Sequence, residues 1–216
     1  MTVSVPTADL RRAYRAGSLS AEDLGATWLE SFDRWYGEAV ASALLPEPNA
    51  VVLATATPDG RPSARTVLLK GYDPRGFVIY TNLLSRKASE ALSTGYAALC
   101  FSWVPLERQV QVTGAVEQVS AEESDAYFAT RPRGSQLGSW ASPQSQVVGT
   151  RQQLEAAHAE AAERFADAQV PRPEHWGGLR VAPDAVELWQ GREHRVHDRL
   201  RHRRTDQGWV VERLAP

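Results

Sequence analysis

The sequence predicts an α+β fold in which an antiparallel β-barrel is flanked by helices. Short β-rich runs separated by turn residues dominate the middle of the chain, helical patterns interrupt them, and strands return near the end. Nothing in the 216 residues reads as an interdomain linker. We therefore expect a single domain over residues 1–216, with an N-terminal helical segment over 1–45 and a barrel core with helical insertions over 46–216.

The N-terminal segment has helical start signals. Thr7 or Asp9 is a possible cap for a first short helix. The run Ser20-Ala21-Glu22-Asp23 then opens a longer amphipathic segment that ends before Pro46. We expect these helices to flank the core.

Strands begin near residue 50. The runs 51–56 and 63–70 surround the turn Pro58-Asp59-Gly60, which is a hairpin pattern, and a second turn is predicted at 73–76. Further strands are predicted over residues 77–81, 97–104, 108–119, 186–189, 193–203 and 209–214.

Helices are predicted between these strands. Ser85 caps a short helix that runs through Leu92, and Ser120-Ala121-Glu122-Glu123 is a capping box that opens a helix towards Thr130. A long helix rich in alanine and glutamate spans about 149–168.

The charge balance disfavours some classes of partner. The net charge is -2 and the isoelectric point is near 6.2, which disfavours a general attraction to nucleic acid or to an anionic membrane. Arginines nevertheless cluster at 61–65, 131–133 and 192–204, which indicates discrete anionic ligands. The sequence start lacks a signal-peptide layout and no apolar run has membrane length, so we expect a cytoplasmic protein.

The segment 189–199 combines an aromatic residue, a turn and alternating ionisable residues. If it is a β-hairpin that turns at Gly191, Arg195, His197 and Arg199 share one cationic face. Such a face would bind an anion. The alternative is a solvated basic edge strand whose charges prevent edge-to-edge pairing.

Three further clusters suit phosphate. The run 80–82 followed by Ser85-Arg86-Lys87 joins a strand end to a helix N-terminus with adjacent cations, although a capped helix with solvated cations has the same pattern. The run 127–135 offers phenol, guanidinium and hydroxyl groups around a helix end. Arg65 and Lys70 have opposite parity on one strand, so they would serve different ligands or different ends of one ligand.

Several familiar sites are disfavoured. The sequence has no G-x-G-x-x-G motif and no Walker A lysine loop, so side chains must hold any phosphate. His194 and His197 would point to opposite faces of a strand, and no metal-ligand spacing is present. The sequence also lacks a G-x-S-x-G elbow and a persuasive Cys–His arrangement. If the protein is an enzyme, a cofactor should carry the chemistry.

Taken together, these segments resemble the pyridoxamine 5'-phosphate oxidase family over about residues 10–216. The matching runs are 65–70 (RTVLLK), 80–82 (YTN), 85–88 (SRKA), 106–110 (LERQV), 135–142 (SQLGSWAS), 176–178 (WGG), 189–199 and 213–216 (RLAP). The departures are the segment 94–97, which lacks the Asn-Pro turn often seen in the family, and the loosely similar region 146–162.

The resemblance implies an FMN-binding split β-barrel, Greek-key-like, that forms a homodimer with FMN in two clefts at the subunit interface. By resemblance, Arg65, Thr81, Arg86 and Lys87 hold the FMN phosphate and ribityl chain. The flavin site is completed by Thr66, Val67, Leu68, Tyr80, Gln109, Gln144, Ser145, Trp189 and Arg199.

The resemblance also assigns the substrate side of the site. Lys70, Tyr127, Arg131 and Ser135 look like the group that binds the substrate phosphate. Arg195 and His197 would line the reacting pyridine ring and are the catalytic candidates, with orientation and charge control as their expected role. Arg11 and Tyr14 resemble residues that close over the active site.

The implied reaction oxidises pyridoxamine 5'-phosphate or pyridoxine 5'-phosphate to pyridoxal 5'-phosphate, and dioxygen becomes hydrogen peroxide. Three rival functions are a split-barrel reductase that uses a deazaflavin or another substrate, a non-catalytic carrier of flavin or pyridoxal phosphate, and a nucleic-acid-binding module. Retention of the substrate-side residues argues against the reductase, and the acidic balance argues against nucleic acid.

Overall fold

A computed structural model describes residues 13–216, so Thr7, Asp9 and Arg11 lie outside the described residues. The strands are β1 Ala50–Ala56, β2 Pro62–Leu68, β3 Gly71–Asp73, β4 Gly76–Asn82, β5 Tyr96–Trp103, β6 Arg108–Gln118, β7 Trp176–Gln190, β8 Asp198–Thr205 and β9 Gly208–Arg213. The α-helices are α1 Trp28–Ala41, α2 Arg86–Thr94, α3 Ala121–Ala129, α4 Arg133–Ala141 and α5 Arg151–Arg164.

The nine strands of the described chain hydrogen-bond into one sheet. Its order is β2-β1-β5-β6-β7-β4-β3, and β8 pairs with both β7 and β9. The pairs β1–β2, β1–β5, β3–β4, β4–β7, β7–β8 and β8–β9 are antiparallel. The predicted α+β class with an antiparallel sheet is confirmed. None of the helices in residues 13–216 is long and apolar enough to cross a membrane.

The chain divides into two compact units. The terminal unit contains the described residues up to Pro48 together with Phe101–Gln111 and Ala185–Pro216. The central unit contains Asn49–Cys100 and Val112–Asp184. The single domain over 1–216, with its boundary at residue 45, stays a prediction.

The core of the terminal unit is aromatic. Phe32 and Trp35 of α1 are almost fully buried, and the Phe32 ring lies 5.2 Å from that of Phe101 and 6.4 Å from that of Trp103 between centroids. Burial of such large apolar rings contributes most of the packing energy of a small core. This packing fixes α1 against the end of strand β5 within the unit.

The longer N-terminal helix begins later than the sequence pattern predicts. Ser20 opens only a short 3-10 helix over Ala21–Asp23, whose last carboxylate accepts a hydrogen bond from the Ser20 hydroxyl at 2.8 Å. α1 starts at Trp28 because Thr27 is its N-cap and accepts from the backbone N–H of Glu30 at 3.2 Å. Two capping signals follow each other closely here, and the second one starts the α-helix.

The central unit is built around buried strands. β1 alternates regularly, with Val51, Leu53 and Thr55 turned inward, whereas β4 is buried along almost its whole length. The predicted turn at 73–76 is confirmed by the β3–β4 hairpin. Gly76 has a φ of 138°, and a Cβ there would lie 2.2 Å from the Val181 carbonyl oxygen, so only glycine fits this turn.

Three of the later elements differ from their predictions. The sequence pattern did not predict α4, because Pro132 precedes it and Gly134 and Gly138 lower its intrinsic helix propensity. The long helix predicted over 149–168 is α5, which begins later because Thr150 is its cap and ends earlier at Arg164. The strand predicted over 186–189 is the end of the much longer β7.

The hairpin near the C-terminus also differs from its prediction. β7 and β8 do pair, with Gln190 opposite Asp198, but residues 191–197 form a connecting loop rather than a tight turn at Gly191. Within this loop His194 and Arg195 have positive φ angles of 57° and 63°. The predicted strand over 193–203 therefore begins only at Asp198, and strand alternation does not place Arg195 and His197 beside Arg199.

Candidate functional site

The central unit contains a cavity of about 640 Å³ beside the ends of β2 and β4. Its walls include Thr66, Val67, Leu68, Lys70, Tyr80, Thr81, Lys87, Tyr127, Arg131, Ser135, Ser139, Gln144 and Trp176. The volume lies within the usual range for small-molecule sites. Many residues that the resemblance assigned to cofactor and substrate therefore share one cavity.

Lys87 is the centre of one cationic group on this wall. Its Nζ donates to Thr81 Oγ1 at 3.1 Å and to Gln144 Oε1 at 2.9 Å. Burial lowers the pKa of the Lys87 ammonium, and the nearby positive charge of Arg65 lowers it further. A bound anion would favour the charged form of Lys87 and balance the positive charge of Arg65. This group is therefore suited to a phosphate.

Arg65 and Arg86 do not line the cavity but converge on Glu90 behind it. The Arg86 Nε donates to Glu90 Oε1 at 2.6 Å, and Arg65 Nη2 lies 3.5 Å from Glu90 Oε2. Arg65 also donates to Thr55 Oγ1 at 2.6 Å. The backbone N–H of Arg86, at the start of α2, donates to Ser145 Oγ at 3.2 Å, which places Ser145 beside a helix N-terminus.

Glu90 is an internal anion in this cluster. It is 5% exposed, and hydrogen bonds from Ser63 and Thr55, reinforced by Arg86, lower the pKa of its carboxyl from 4.5 to about 2. The Thr55 hydroxyl donates to Glu90 Oε2 at 2.5 Å. Glu90 therefore fixes the two arginines and offsets their charge.

Replacing Glu90 with glutamine is expected to lower the free energy of unfolding at pH 7 by about 2 kcal/mol, because an amide N–H₂ would face several donors. A depressed pKa means that the contribution of Glu90 is complete above pH 4.5 and is lost as the pH falls towards about 2. The difference between wild type and E90Q in urea unfolding should therefore shrink over that interval. E155Q, which removes the exposed partner of Arg151 in a similarly spaced helical pair, should change stability by less than about 0.5 kcal/mol.

The four residues that the resemblance assigns to the substrate phosphate, Lys70, Tyr127, Arg131 and Ser135, all line the cavity. Arg131 is held from two sides. Its Nη1 donates to Ser139 Oγ at 2.6 Å, and its guanidinium carbon lies 4.6 Å from the centre of the Trp176 ring. Burial lowers the pKa of this guanidinium, which still remains positively charged at neutral pH.

Three aromatic rings form a stack along the same wall. Tyr80 and Tyr127 lie 4.1 Å apart between centroids with planes 17° apart, and Trp176 is 5.3 Å from Tyr80 at 8°. A Cβ at Gly178 would lie 2.9 Å from Tyr80 Cε1, so this glycine lets the tyrosine ring lie against the strand backbone. Trp176 belonged to a motif matched in the sequence, but the sequence did not reveal that it supports Arg131.

Helix α3, which carries Tyr127, is anchored to the sheet by Arg180. This arginine is 2% exposed, and its Nη2 donates to both carboxylate oxygens of Glu123 at 2.9 and 3.0 Å. Its Nη1 also donates to Asp73 at 3.2 Å. The pairing with the buried arginine fixes the first turn of α3 and hence the direction of the helix towards the cavity.

The terminal unit holds a second group of predicted residues. The rings of Tyr14, Trp189 and His197 are in mutual contact, with centroid distances of 4.7 Å for Trp189–His197 and 5.8 Å for each pair that includes Tyr14. The backbone N–H of Arg192 donates to His197 Nδ1 at 3.0 Å. A neutral His197 ring therefore carries its proton on Nε2, which leaves that nitrogen as a donor.

The other predicted residues of this unit have different surroundings. Arg195 is exposed in the 191–197 loop, whereas Gln109 is half-buried on β6. Arg199 forms a bidentate pair with Glu187 at 2.7 and 3.1 Å and donates to the Ala215 carbonyl at 2.9 Å. Hydrogen bonding to Glu187 raises the pKa of Arg199. Its charge is thus balanced within the protein, while that of Arg195 is open to solvent.

Comparison with known families gives two matches. Residues 38–165 match the family described as pyridoxamine 5'-phosphate oxidase. Residues 176–216 match the region described as the pyridoxine 5'-phosphate oxidase C-terminal dimerisation region.

Two relatives are both named pyridoxine/pyridoxamine 5'-phosphate oxidase. The protein of Frankia alni is 58% identical over 95% of this chain and 87% of its own length. The protein of Salinispora arenicola is 56% identical over 99% of this chain and 97% of its own length.

Solved structures show the same fold. PhzG from Burkholderia lata, in complex with tetrahydrophenazine-1-carboxylic acid, has a TM-score of 0.85 and 31% identity over 90% of this chain and 95% of its own. A pyridoxamine 5'-phosphate oxidase-related, FMN-binding protein from Nostoc punctiforme has a TM-score of 0.68 and 18% identity over 86% of this chain and 97% of its own. The predicted split β-barrel is confirmed by these likenesses.

Proposed function

This chain belongs to the pyridoxamine 5'-phosphate oxidase family, and from that premise we propose that it oxidises pyridoxamine 5'-phosphate or pyridoxine 5'-phosphate to pyridoxal 5'-phosphate. FMN is the cofactor, dioxygen is the electron acceptor, and hydrogen peroxide is the second product. The observation that carries the proposal is that Lys70, Tyr127, Arg131 and Ser135 line a single cavity together with Lys87. A cytoplasmic location is proposed as well, as expected for an enzyme of cofactor metabolism.

The residues present fit FMN. One end of the cavity offers Lys87, Thr81 and Gln144, a cation with neutral hydrogen-bonding groups that suits a phosphate and a ribityl chain. Arg65 and Arg86 add positive charge close to this end. The remaining flavin-site residues on this wall are Thr66, Val67, Leu68 and Tyr80, and those assigned by resemblance elsewhere are Gln109, Ser145, Trp189 and Arg199.

When bound, FMN supplies the two-electron acceptor for the oxidation, and the chain supplies position and charge. Lys70 and Arg131, with the hydroxyl groups of Tyr127 and Ser135, hold the substrate phosphate by charge-assisted hydrogen bonds. This attachment fixes the distance at which the substrate ring is presented, which lowers the entropic part of the barrier.

Arg195 and His197 are proposed to orient the substrate ring. The Nε2–H of a neutral His197 is available as a donor because Nδ1 is already paired with the Arg192 backbone. The guanidinium of Arg195 is exposed and can lie against a planar ring or balance its charge. Tyr14 packs on His197 and would help to exclude water from the substrate, a role proposed also for Arg11, which lies outside the described residues.

The active form is a homodimer. The C-terminal region matches a dimerisation region. The family resemblance implies that FMN lies in clefts at the subunit interface. We therefore infer that both subunits contribute to each flavin site. A monomer that retains FMN in sedimentation would contradict this inference.

A second candidate is oxidation of a larger, unphosphorylated aromatic acid, which the likeness to PhzG bound to tetrahydrophenazine-1-carboxylic acid favours. The cationic cavity wall supports the phosphorylated substrate instead. A substrate without a phosphate would leave the hydrogen-bond donors of Lys70, Tyr127, Arg131 and Ser135 unpaired. The two candidates are distinguished by measuring kcat/KM for pyridoxamine 5'-phosphate and for a tricyclic carboxylic acid, each tested alone as substrate and then in competition with the other.

Anaerobic mixing tests the proposed reaction directly. FMN-reconstituted protein is mixed with pyridoxamine 5'-phosphate while the oxidised flavin band is followed, and air is then admitted. We expect bleaching, then recovery accompanied by hydrogen peroxide and pyridoxal 5'-phosphate. Binding of FMN without reduction would refute the oxidase and indicate a carrier or a different substrate.

A further inference from the structure

Glu107 lies in the turn before β6 in an unusual conformation. Its φ is 56°, in the left-handed region that glycine and asparagine adopt more readily, and its side chain is 5% exposed. Its carboxylate Oε2 accepts hydrogen bonds from two consecutive backbone N–H groups, those of Arg15 at 2.6 Å and Ala16 at 2.7 Å. A glutamate kept in a disfavoured backbone conformation to make these bonds points to a specific role.

The backbone of the same residue binds the 191–197 loop. The Glu107 carbonyl accepts from the backbone N–H of Gly191 at 2.7 Å and from Gln190 Nε2 at 3.2 Å. Glu107 therefore connects two parts of the terminal unit. One is the N-terminal segment 14–19, here called the strap, and the other is the loop that carries Arg195 and His197.

These contacts seat Tyr14 on the loop. A Cβ at Gly191 would lie 2.8 Å from Tyr14 Cγ, so the tyrosine ring rests directly on the glycine backbone. The ring also contacts both Trp189 and His197, at 5.8 Å from each. The position of Tyr14 thus depends on where the strap backbone is held at the next two residues.

Other contacts of the strap are weaker or more distant from Tyr14. Arg15 pairs with Glu193, but their side chains are 76% and 45% exposed, and pairs of this kind contribute little. Leu19 is held by Asp198, which accepts from its backbone N–H at 3.0 Å, further along the strap. The two charge-assisted bonds to the buried residue Glu107 are therefore the main restraint next to Tyr14.

We propose that Glu107 is a positioning residue that holds the strap on the 191–197 loop and so keeps Tyr14 packed against His197. This inference rests on the proposed function, in which His197 orients the substrate ring. Glu107 does not need to touch the substrate. Its effect passes through the backbone of Arg15 and Ala16 to Tyr14.

The test uses Glu107→Gly and Glu107→Gln in the FMN-loaded full-length protein. Glycine removes the carboxylate without straining the backbone at a φ of 56°, whereas glutamine keeps an oxygen acceptor of the same reach. We expect E107G to raise KM for pyridoxamine 5'-phosphate about tenfold with a smaller change in kcat, and E107Q to stay within about twofold of wild type. A general structural defect would instead lower kcat with KM unchanged, by reducing the fraction of active enzyme.

Limited trypsin digestion gives a readout that does not depend on activity. Ala16 N–H belongs to the Arg15–Ala16 peptide bond and Arg15 N–H to the peptide bond before it, and both bind Glu107. Cleavage between Arg15 and Ala16 therefore requires release of the strap. The peptide that begins at Ala16, followed by mass spectrometry, should form at least tenfold faster from E107G than from wild type. The control E193Q removes the exposed partner of Arg15 and should change neither cleavage nor KM appreciably.

Unchanged cleavage and unchanged KM in E107G would overturn the proposal, as would a raised KM with the strap still protected. If the wild-type protein proves inactive towards pyridoxamine 5'-phosphate, the proposed function fails, but the cleavage rates still show whether Glu107 holds the strap. The two failures are therefore distinguishable.

Discussion

Replacing Arg131 with alanine is expected to lower kcat/KM for pyridoxamine 5'-phosphate by about 100- to 1000-fold. Arg131 is fixed by Ser139 and Trp176 on the cavity wall, so its guanidinium is pre-organised for a dianionic phosphate. Truncating one partner of a desolvated charge pair costs roughly 3 to 4 kcal/mol, and about 1.4 kcal/mol corresponds to a factor of ten. Steady-state kinetics with the purified, FMN-loaded variant measures the loss.

Arg133 provides the matched control for this substitution. It lies two residues further on but donates to the backbone carbonyls of Ala166 and Ala168, at 3.2 and 3.0 Å, near the end of α5. R133A should therefore affect stability rather than kcat/KM. Unphosphorylated pyridoxamine is the second control, because its weak turnover should be nearly the same in wild type and R131A. An equal loss for both substrates would show that Arg131 does not recognise the phosphate.

The contacts that hold Arg131 in place show which parts of the site the sequence could predict and which it could not. Lys70, Tyr127, Arg131 and Ser135 were assigned because their motifs resemble those of a family, and all four line one cavity. Ser139 and Trp176 received no individual role because they act on the arginine rather than on a ligand. Such contacts join distant parts of the chain and leave no local pattern in the sequence.

The fold was predictable where local signals agree with the final packing. The hairpin around Pro58-Asp59-Gly60 and the turn at 73–76 were predicted correctly because each turn has its own residue chemistry. Helix α4 was missed because two glycines and a preceding proline weaken its local signal, and packing of Leu137 in the core compensates for this. Burial of Leu137 in the core, rather than local helix propensity, therefore stabilises α4.

The loop 191–197 shows a different limit. Alternating charges around His197 match a strand pattern, yet the positive φ angles at His194 and Arg195 interrupt the strand. The compensating contacts come from Glu107 and from the strap, which are far away in sequence. The alternation of charged residues therefore drew attention to the segment that contains Arg195 and His197, but it predicted a strand where the backbone forms a loop.

Arg195→Ala and His197→Ala are each expected to lower kcat by about 100-fold while the FMN content stays close to that of wild type. Loss of one pre-organised donor at the reacting part of a substrate typically has an effect of this size. Neither residue belongs to the cationic group around Lys87, so removing either one leaves those phosphate donors intact. Flavin absorbance after gel filtration and single-turnover reduction of the flavin measure the two quantities separately.

Arg65→Ala is expected to give the opposite result, with an FMN dissociation constant about 100-fold higher and near-normal turnover once FMN is saturating. Arg65 adds positive charge near Lys87, whose ammonium pKa is lowered first by burial and then by this charge, and its side chain is held by Thr55 and Glu90. H194N is the control for the loop, because asparagine tolerates the positive φ there and His194 is exposed. Two groups that act on different ligands must give different results in these two measurements. If R195A, H197A and R65A all lost flavin and turnover in the same proportion, the division between an FMN-binding group and a ring-orienting group would be wrong.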